Sequence, residues 1–320
     1  MAGVLEVEVR PRSPLRLPRS GGDGVMRARE GVMERMLHVG PCPVRVRCWQ
    51  ARTGIRIRAE RIEPRLLMNF DAEAESSEAG EEQLEIAIER MRFALWVDED
   101  ISGFYAQCKA APLLRKAIRL RPWTRPKRRP WAWEALAWAI TEQLIESSRA
   151  AAIQRRIVRR WGAKAAPANR SERPLMDVPS PRLIAGRAPA ELVSMDLTEA
   201  RSIAMVRCAR EVNAGRADLA DPAADRRLLA IREVGPWTIR CLGQGGRGDY
   251  DSLPAGDLAY VKLVGQLERL GRKATVQEVE EYFAPYAPYR SLAGSFALAG
   301  WHKAAAQGPP LRAAPGSLAA

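Results

Sequence analysis

The 320-residue sequence has few of the residues that build metal and redox centres. It contains 2 histidines, His38 and His302, far apart in the chain, and 5 cysteines (Cys42, Cys48, Cys108, Cys208, Cys241) without a CxxC pair. Two such separated histidines argue against a His-rich metal centre. The scattered, odd-numbered cysteines argue against a zinc site, a disulfide framework or an iron–sulfur cluster. No cofactor is therefore expected. Apolar runs are short as well: none approaches the ~20 residues needed to span a bilayer, and the first residues lack the basic-then-apolar pattern of a signal peptide. These absences point to a cytoplasmic protein without a membrane partner.

What is abundant is positive charge. Lys and Arg number 51 against 38 Asp and Glu, a formal net charge of +13, on a chain that is 47% hydrophobic and so able to build a sizeable core. Such a balance favours a polyanionic partner, since each phosphate neutralised by Lys or Arg releases counterions. A membrane surface would need a basic helix with a bulky apolar face, and none stands out. Charge alone does not separate a nucleic-acid binder from a protein with solvated arginines.

The chain divides by pattern. Val4 to Val9, Val44 to Cys48 and Ile55 to Ala59 alternate apolar and charged residues, the period of half-buried strands. A small antiparallel sheet over 1–70 is predicted. Residues 71–85 carry seven acids and no base, a solvated linker placed at 71–83. Beyond it the pattern is helical. Leu84, Ile88, Met91 and Leu95 share one face, and Trp133, Leu136, Ala137, Ile140 and Leu144 another. Between them, residues 115–129 hold eight Arg or Lys among Pro122, Trp123 and Pro126. Helices are expected over about 198–213 and 256–270, with a Thr275–Glu278 capping box opening another. Residues 307–320 are low in complexity and read as a disordered tail. The fold class is α+β: a small antiparallel sheet domain followed by a mostly helical domain over 84–306.

One segment carries chemistry. Leu228 to Ile231 reads as a helix end, Arg232-Glu233-Val234-Gly235 as a tight turn, and Pro236 as the first position of a new helix. N–H groups at such a helix start can hold a phosphate. The segment resembles the DNA-binding helix-hairpin-helix motif, whose hairpin reads Gly-hydrophobic-Gly; here Glu233 replaces the first glycine and puts a carboxylate where phosphate approaches. About twenty residues on stands Leu253-Pro254-Ala255-Gly256-Asp257-Leu258. Hairpin and aspartate together resemble the helix-hairpin-helix DNA glycosylases, most closely the 3-methyladenine DNA glycosylase II branch. Glu134 to Ile145 is similar to the family helix that ends in a Gln-Gln or Gly-Gln pair. Tyr289-Arg290-Ser291-Leu292-Ala293 is similar to its Trp-Arg-Ser-Tyr-Ala segment, and residues 31–46 to its preceding sheet domain.

The resemblance implies a two-lobed helical domain, with the hairpin lobe at about 131–243 and a second lobe from 84–130 with 244–306. It makes Asp257 the catalytic carboxylate, facing positive charge that builds on the sugar as the N-glycosidic bond breaks. The same residue type also suits a plain N-cap of the helix opening at Leu258. Trp237 is implied to stack on the extruded base, with packing as its other reading. Relatives that also cut the strand carry at that position a lysine that forms a Schiff base; Trp237 implies a monofunctional enzyme. Leu144, just past Gln143, matches the wedge that fills the emptied stack, although it also continues its helix's apolar face. Val234, Gly235 and Thr238 are implied to meet the DNA backbone. Cys241 and Leu298 replace expected pocket aromatics, with Trp301 three residues on. Arg125 to Arg129 and Arg155 to Arg160 are candidate phosphate-tracking runs. The expected partner is double-stranded DNA with damaged bases, met by a monomer in the nucleoid. Three readings remain: excision of alkylated purines, excision of another lesion such as a deaminated base, and non-enzymatic damage binding.

Overall fold

The computed structural model describes residues 3–18, 23–40, 42–63, 67–68, 81–166 and 173–305. The acidic stretch 71–80 and the tail 307–320 lie outside the described residues. The first layer is a five-stranded antiparallel sheet of β1 (Val4–Val9), β2 (Met26–Arg29), β3 (Val32–Val39), β4 (Cys42–Gln50) and β5 (Ile55–Arg61), in the order β1-β5-β4-β3-β2. The three strands read from alternation are present. The β2–β3 hairpin is not visible as alternation, because β3 is buried on both faces: Met33 and Leu37 join the core under the sheet, while Met36 packs with Ile62, Ala163, Ala165 and Leu175 on the other side. A strand covered on both sides loses its period of two.

A second small ladder joins β6 (Leu67–Met68), β7 (Lys164–Ala165) and β8 (Leu175–Met176). Helix α1 (Glu81–Leu95) starts within the predicted linker, with Glu81 and Glu82 in its first turn. Acids there face the positive end of the helix dipole, so part of an acidic stretch read as solvated becomes a helix start. Its Leu84, Ile88, Met91 and Leu95 pack with the sheet's Val44, Val46, Ile55 and Ile57 rather than within a helical lobe.

The helical remainder forms two packed units. Helices α2 (Ser102–Gln107) and α3 (Pro112–Leu120) belong to one. The other contains α4 (Ala132–Glu142), α5 (Ser147–Trp161), α6 (Pro181–Ala185), α7 (Pro189–Val193), α8 (Glu199–Asn213), α9 (Asp225–Leu229) and α10 (Pro236–Leu242). Its centre is α4, buried from Trp133 to Thr141. The chain then returns to the first unit with α11 (Leu258–Leu267), α12 (Val276–Phe283) and α13 (Arg290–Ala305), which pack with Phe104, Leu114 and Ala117. Asp257 stands where the chain enters α11, between the two units. Among the described residues no helix is long and apolar enough to cross a membrane.

The sheet is joined to α4 by buried charge. Arg35 of β3 reaches Glu134 at 2.9 Å and Asp177 at 3.3 Å, while Arg129 reaches Glu134 at 3.0 Å and Asp23 at 2.5 Å. His38 lies 2.7 Å from Asp177. Here the expected phosphate run 125–129 is corrected at two of its members: Arg128 and Arg129 are buried, and Arg128 pairs with Glu99 at 2.6 Å while lying 3.6 Å over the Trp96 ring. An arginine engaged inside is not available to a phosphate.

Candidate active site

The hairpin turn is built as its sequence suggests, with one exchange of roles. Ile231 and Val234 are buried in the core of the α4 unit, and the Val234 N–H donates to the Ile231 carbonyl at 3.0 Å. Pro236 opens α10, where its missing N–H removes nothing from the helix ladder. Gly235 has an ordinary extended conformation, φ −108°, whereas Glu233 carries the left-handed one, φ 73°. Hence the position that needs a glycine is the one that lacks it. An L-residue held there costs roughly 1–2 kcal/mol.

Gln143 fastens this turn. Its side-chain amide donates to the Glu233 carbonyl at 2.7 Å and to the Thr238 hydroxyl at 2.8 Å. Helix α4 stops at Glu142, two residues before the apolar pattern does, because Arg201 donates to the carbonyls of Thr141 at 3.4 Å and Gln143 at 3.0 Å. Cationic capping of the last carbonyls ends the ladder from outside. Leu144 is thereby thrown off the helix at φ 53° and is 104% exposed. The core-packing reading of Leu144 is thus corrected.

Asp257 is the N-cap of α11: its Oδ1 accepts from the Ala259 N–H at 2.8 Å. No hydrogen bond engages Oδ2 among the described residues, and the side chain is half-buried. The cap therefore uses one oxygen only and does not occupy the other, so the two readings of Asp257 are compatible. Trp237 lies beside it. Its Cδ1 is 3.8 Å from the place a Cβ on Gly256 would occupy.

A segment that the sequence marks without explaining holds the loop before Asp257. Arg290 clamps Asp251 through its Nε at 2.8 Å and Nη2 at 2.5 Å, and the Ser291 N–H donates to the Tyr250 carbonyl at 2.8 Å. Bidentate Arg–carboxylate pairs fix orientation as well as distance.

No family model matches the chain. It is 26% identical over 208 residues to a DNA-3-methyladenine glycosylase of Bacillus subtilis, a stretch that is 62% of this chain and 66% of that protein. It is 35% identical over 95 residues to a probable bifunctional transcriptional activator/DNA repair enzyme AlkA of Mycobacterium tuberculosis, 26% of this chain and 18% of that one. The fold matches a 3-methyladenine DNA glycosylase from Archaeoglobus fulgidus with a TM-score of 0.74 at 17% identity, covering 93% of this chain and 98% of that one. It also matches an 8-oxoguanine glycosylase/lyase of Clostridium acetobutylicum, TM-score 0.68 at 13% identity, over 93% and 98% of the two chains. The chain has the fold of these solved glycosylases, and part of its sequence is similar to the two named repair proteins.

Within this glycosylase fold the remaining site residues divide. Cys241, one turn after Trp237, is half-buried, and its thiol is pushed well above its usual range, by burial first and then by the carboxylates of Glu142 and Asp257. It is a neutral thiol beside two acids, which disfavours a nucleophilic thiolate. The same observation brings Glu142, unremarked in the sequence, into the neighbourhood of Asp257. Tyr260 and Gln244 close this region: burial raises the Tyr260 phenol, with Asp257 and Cys241 adding to it, and Gln244 donates to Ser291 at 2.7 Å. Leu298 is half-buried three residues after Ser295, on the same face of α13.

Three expected placements change. Trp301 donates its indole N–H to Gln266 at 2.7 Å. Gln266 is nine residues into α11 from Asp257, about 13 Å along the axis at 1.5 Å per residue, so Trp301 does not replace a stacking ring beside the aspartate. Thr238 is buried with its hydroxyl accepting from Gln143, and the Val234 N–H is used inside the turn. The third hairpin residue expected at a DNA backbone, Gly235, has open space where a Cβ would be, with nothing within 4 Å.

Proposed function

We propose that the chain is a monofunctional DNA glycosylase that extrudes alkylated purines of the 3-methyladenine type from duplex DNA and hydrolyses their N-glycosidic bond, leaving an abasic site. The relative from Bacillus subtilis bears the name of that activity. The observation that carries the reading is the half-buried Asp257, whose Oδ2 accepts no hydrogen bond among the described residues, one residue from the Gly256 backbone that Trp237 packs on.

The chemistry follows from those groups. Ring-nitrogen alkylation makes the purine cationic and a good leaving group, so its departure takes the bonding pair and leaves positive charge on the sugar. The Asp257 carboxylate offsets that charge and orients the water whose oxygen bonds to C1′. Trp237 offers an electron-rich face to the cationic base, worth about 1–2 kcal/mol when desolvated. It has no amine, so no Schiff base forms and the strand stays intact. Leu144, fully exposed and apolar, fills the gap left by the extruded nucleotide. The Gly235 turn and the start of α10 meet the backbone phosphates. The protein works as a monomer on nucleoid DNA.

One observation favours a second substrate class. The neutral thiol of Cys241 stands where an aromatic is expected, with Glu142 nearby, which leaves room for a deaminated purine as the excised base.

Incubation with methylated duplex DNA, read by chromatography of the released bases, tests the reading. Free 3-methyladenine is expected, with strands that break only after alkali and no borohydride-trapped adduct. Release from hypoxanthine-containing duplex alone moves the answer to the second class, and a trapped adduct contradicts the monofunctional reaction.

A further inference from the structure

A cavity of about 350 Å³ lies away from Asp257, between the sheet, α1 and the basic connector 123–130. Its volume falls in the lower part of the range of small-molecule sites, roughly 300–1,000 Å³. One wall is apolar and polarisable: Met26 and Met33 from the sheet, Met91, Leu95 and Trp96 from α1 and the turn after it. The opposite wall holds Trp123, 38% exposed, with the Arg16 guanidinium 5.5 Å over its ring.

The charge of this lining is unbalanced. Six basic side chains face one acid, Asp23, which Arg129 already holds at 2.5 Å. Arg35 and Arg128 have carboxylate partners, but Arg125 donates to the carbonyls of Pro122, Thr124 and Pro14 and forms no ion pair among the described residues. Lys127 makes neither a hydrogen bond nor an ion pair among the described residues. The buried Nε–H groups of Arg35, Arg125 and Arg128 have no acceptor, although Arg35 is 4% and Arg128 5% exposed. Unmet donors in a cationic cavity with aromatic walls describe the complement of one ligand type: an anion carried on a flat, apolar body.

We propose that this cavity is a second ligand site, taking a nucleoside monophosphate with its base against Trp123 and its phosphate among Arg16, Arg125 and Lys127. The site is separate from the Asp257 cleft and does not depend on the reaction assigned there.

Titration of the full chain with adenosine monophosphate, followed by tryptophan fluorescence and calorimetry, tests it. Saturable one-to-one binding is expected. Trp123→Ala and Lys127→Gln, both at exposed positions, are each expected to weaken it about tenfold while leaving the melting temperature unchanged. Binding is also expected to persist in the presence of saturating abasic-site duplex. Absence of saturation at millimolar nucleotide would overturn the proposal. So would equal binding by both variants, equal affinity for inorganic phosphate, or displacement by the duplex, which would place the nucleotide in the DNA cleft.

Discussion

At Asp257 structural and chemical roles share one side chain without competing. The cap uses Oδ1 alone, and Asn caps helices as well as Asp does. Substitution by Asn therefore removes the charge and keeps the fold. Glu233 is the opposite case, a residue whose conformation works against it. Left-handed at φ 73°, it is expected to yield about 1 kcal/mol of stability on change to Gly. The same Glu233→Gly variant removes a carboxylate from the hairpin, so its duplex affinity is expected to rise as well; denaturant unfolding and fluorescence anisotropy check the two effects. Leu144 separates stability from function most cleanly. Because it is 104% exposed, Leu144→Ala is expected to leave the unfolding midpoint unchanged and to slow base extrusion about tenfold in single-turnover assays. A lowered midpoint with unchanged excision would return Leu144 to packing.

At the scale of elements, the hairpin is held from outside itself. Gln143 ties it to the end of α4, and Arg201 ends that helix. Gln143→Ala leaves the buried Thr238 hydroxyl without its donor, an expected loss of about 1–3 kcal/mol. Calorimetric melting measures it, and a hairpin stable by itself would show no change. This tertiary control explains what the sequence conceals. The turn, Pro236 and the Asp257 cap are local signals and are legible. The stop after Glu142 is not, since no glycine marks it and Arg201 lies far along the chain. Trp301 misleads for the same reason: it sits near the right sequence position, but helix geometry carries it to the far end of α11. The β2–β3 hairpin hides because burial on both faces erases alternation, and nothing local marks the pairing of Arg35 and His38, because Glu134 and Asp177 come from distant segments.

Across the whole molecule, a buried ionic cluster joins the sheet to the helical part. Replacing one member strands the others, so Arg35→Met is expected to cost about 3–5 kcal/mol by leaving Glu134 and Asp177 short of a cation. The cluster also sets an acid limit. Burial works to raise Asp23, but Arg129, Lys127 and Arg35 outweigh it and hold the carboxyl at about 2. A depressed pKa stabilises the fold fully above the unfolded value near 4. That contribution, roughly 2 kcal/mol from Asp23, is lost as pH falls from about 4 towards 2. Unfolding free energies across that interval should decline, and a flat profile would contradict the pairing. The sheet, the hairpin unit and their partner thus form the frame that places one carboxylate beside one indole. Single-turnover release of free base from methylated duplex, by wild type and by Asp257→Asn, tests that placement most directly. The account predicts release by the wild type, at least a thousandfold loss in the variant, and equal thermal stability and abasic-duplex affinity in both. Equal release by the two proteins would contradict it.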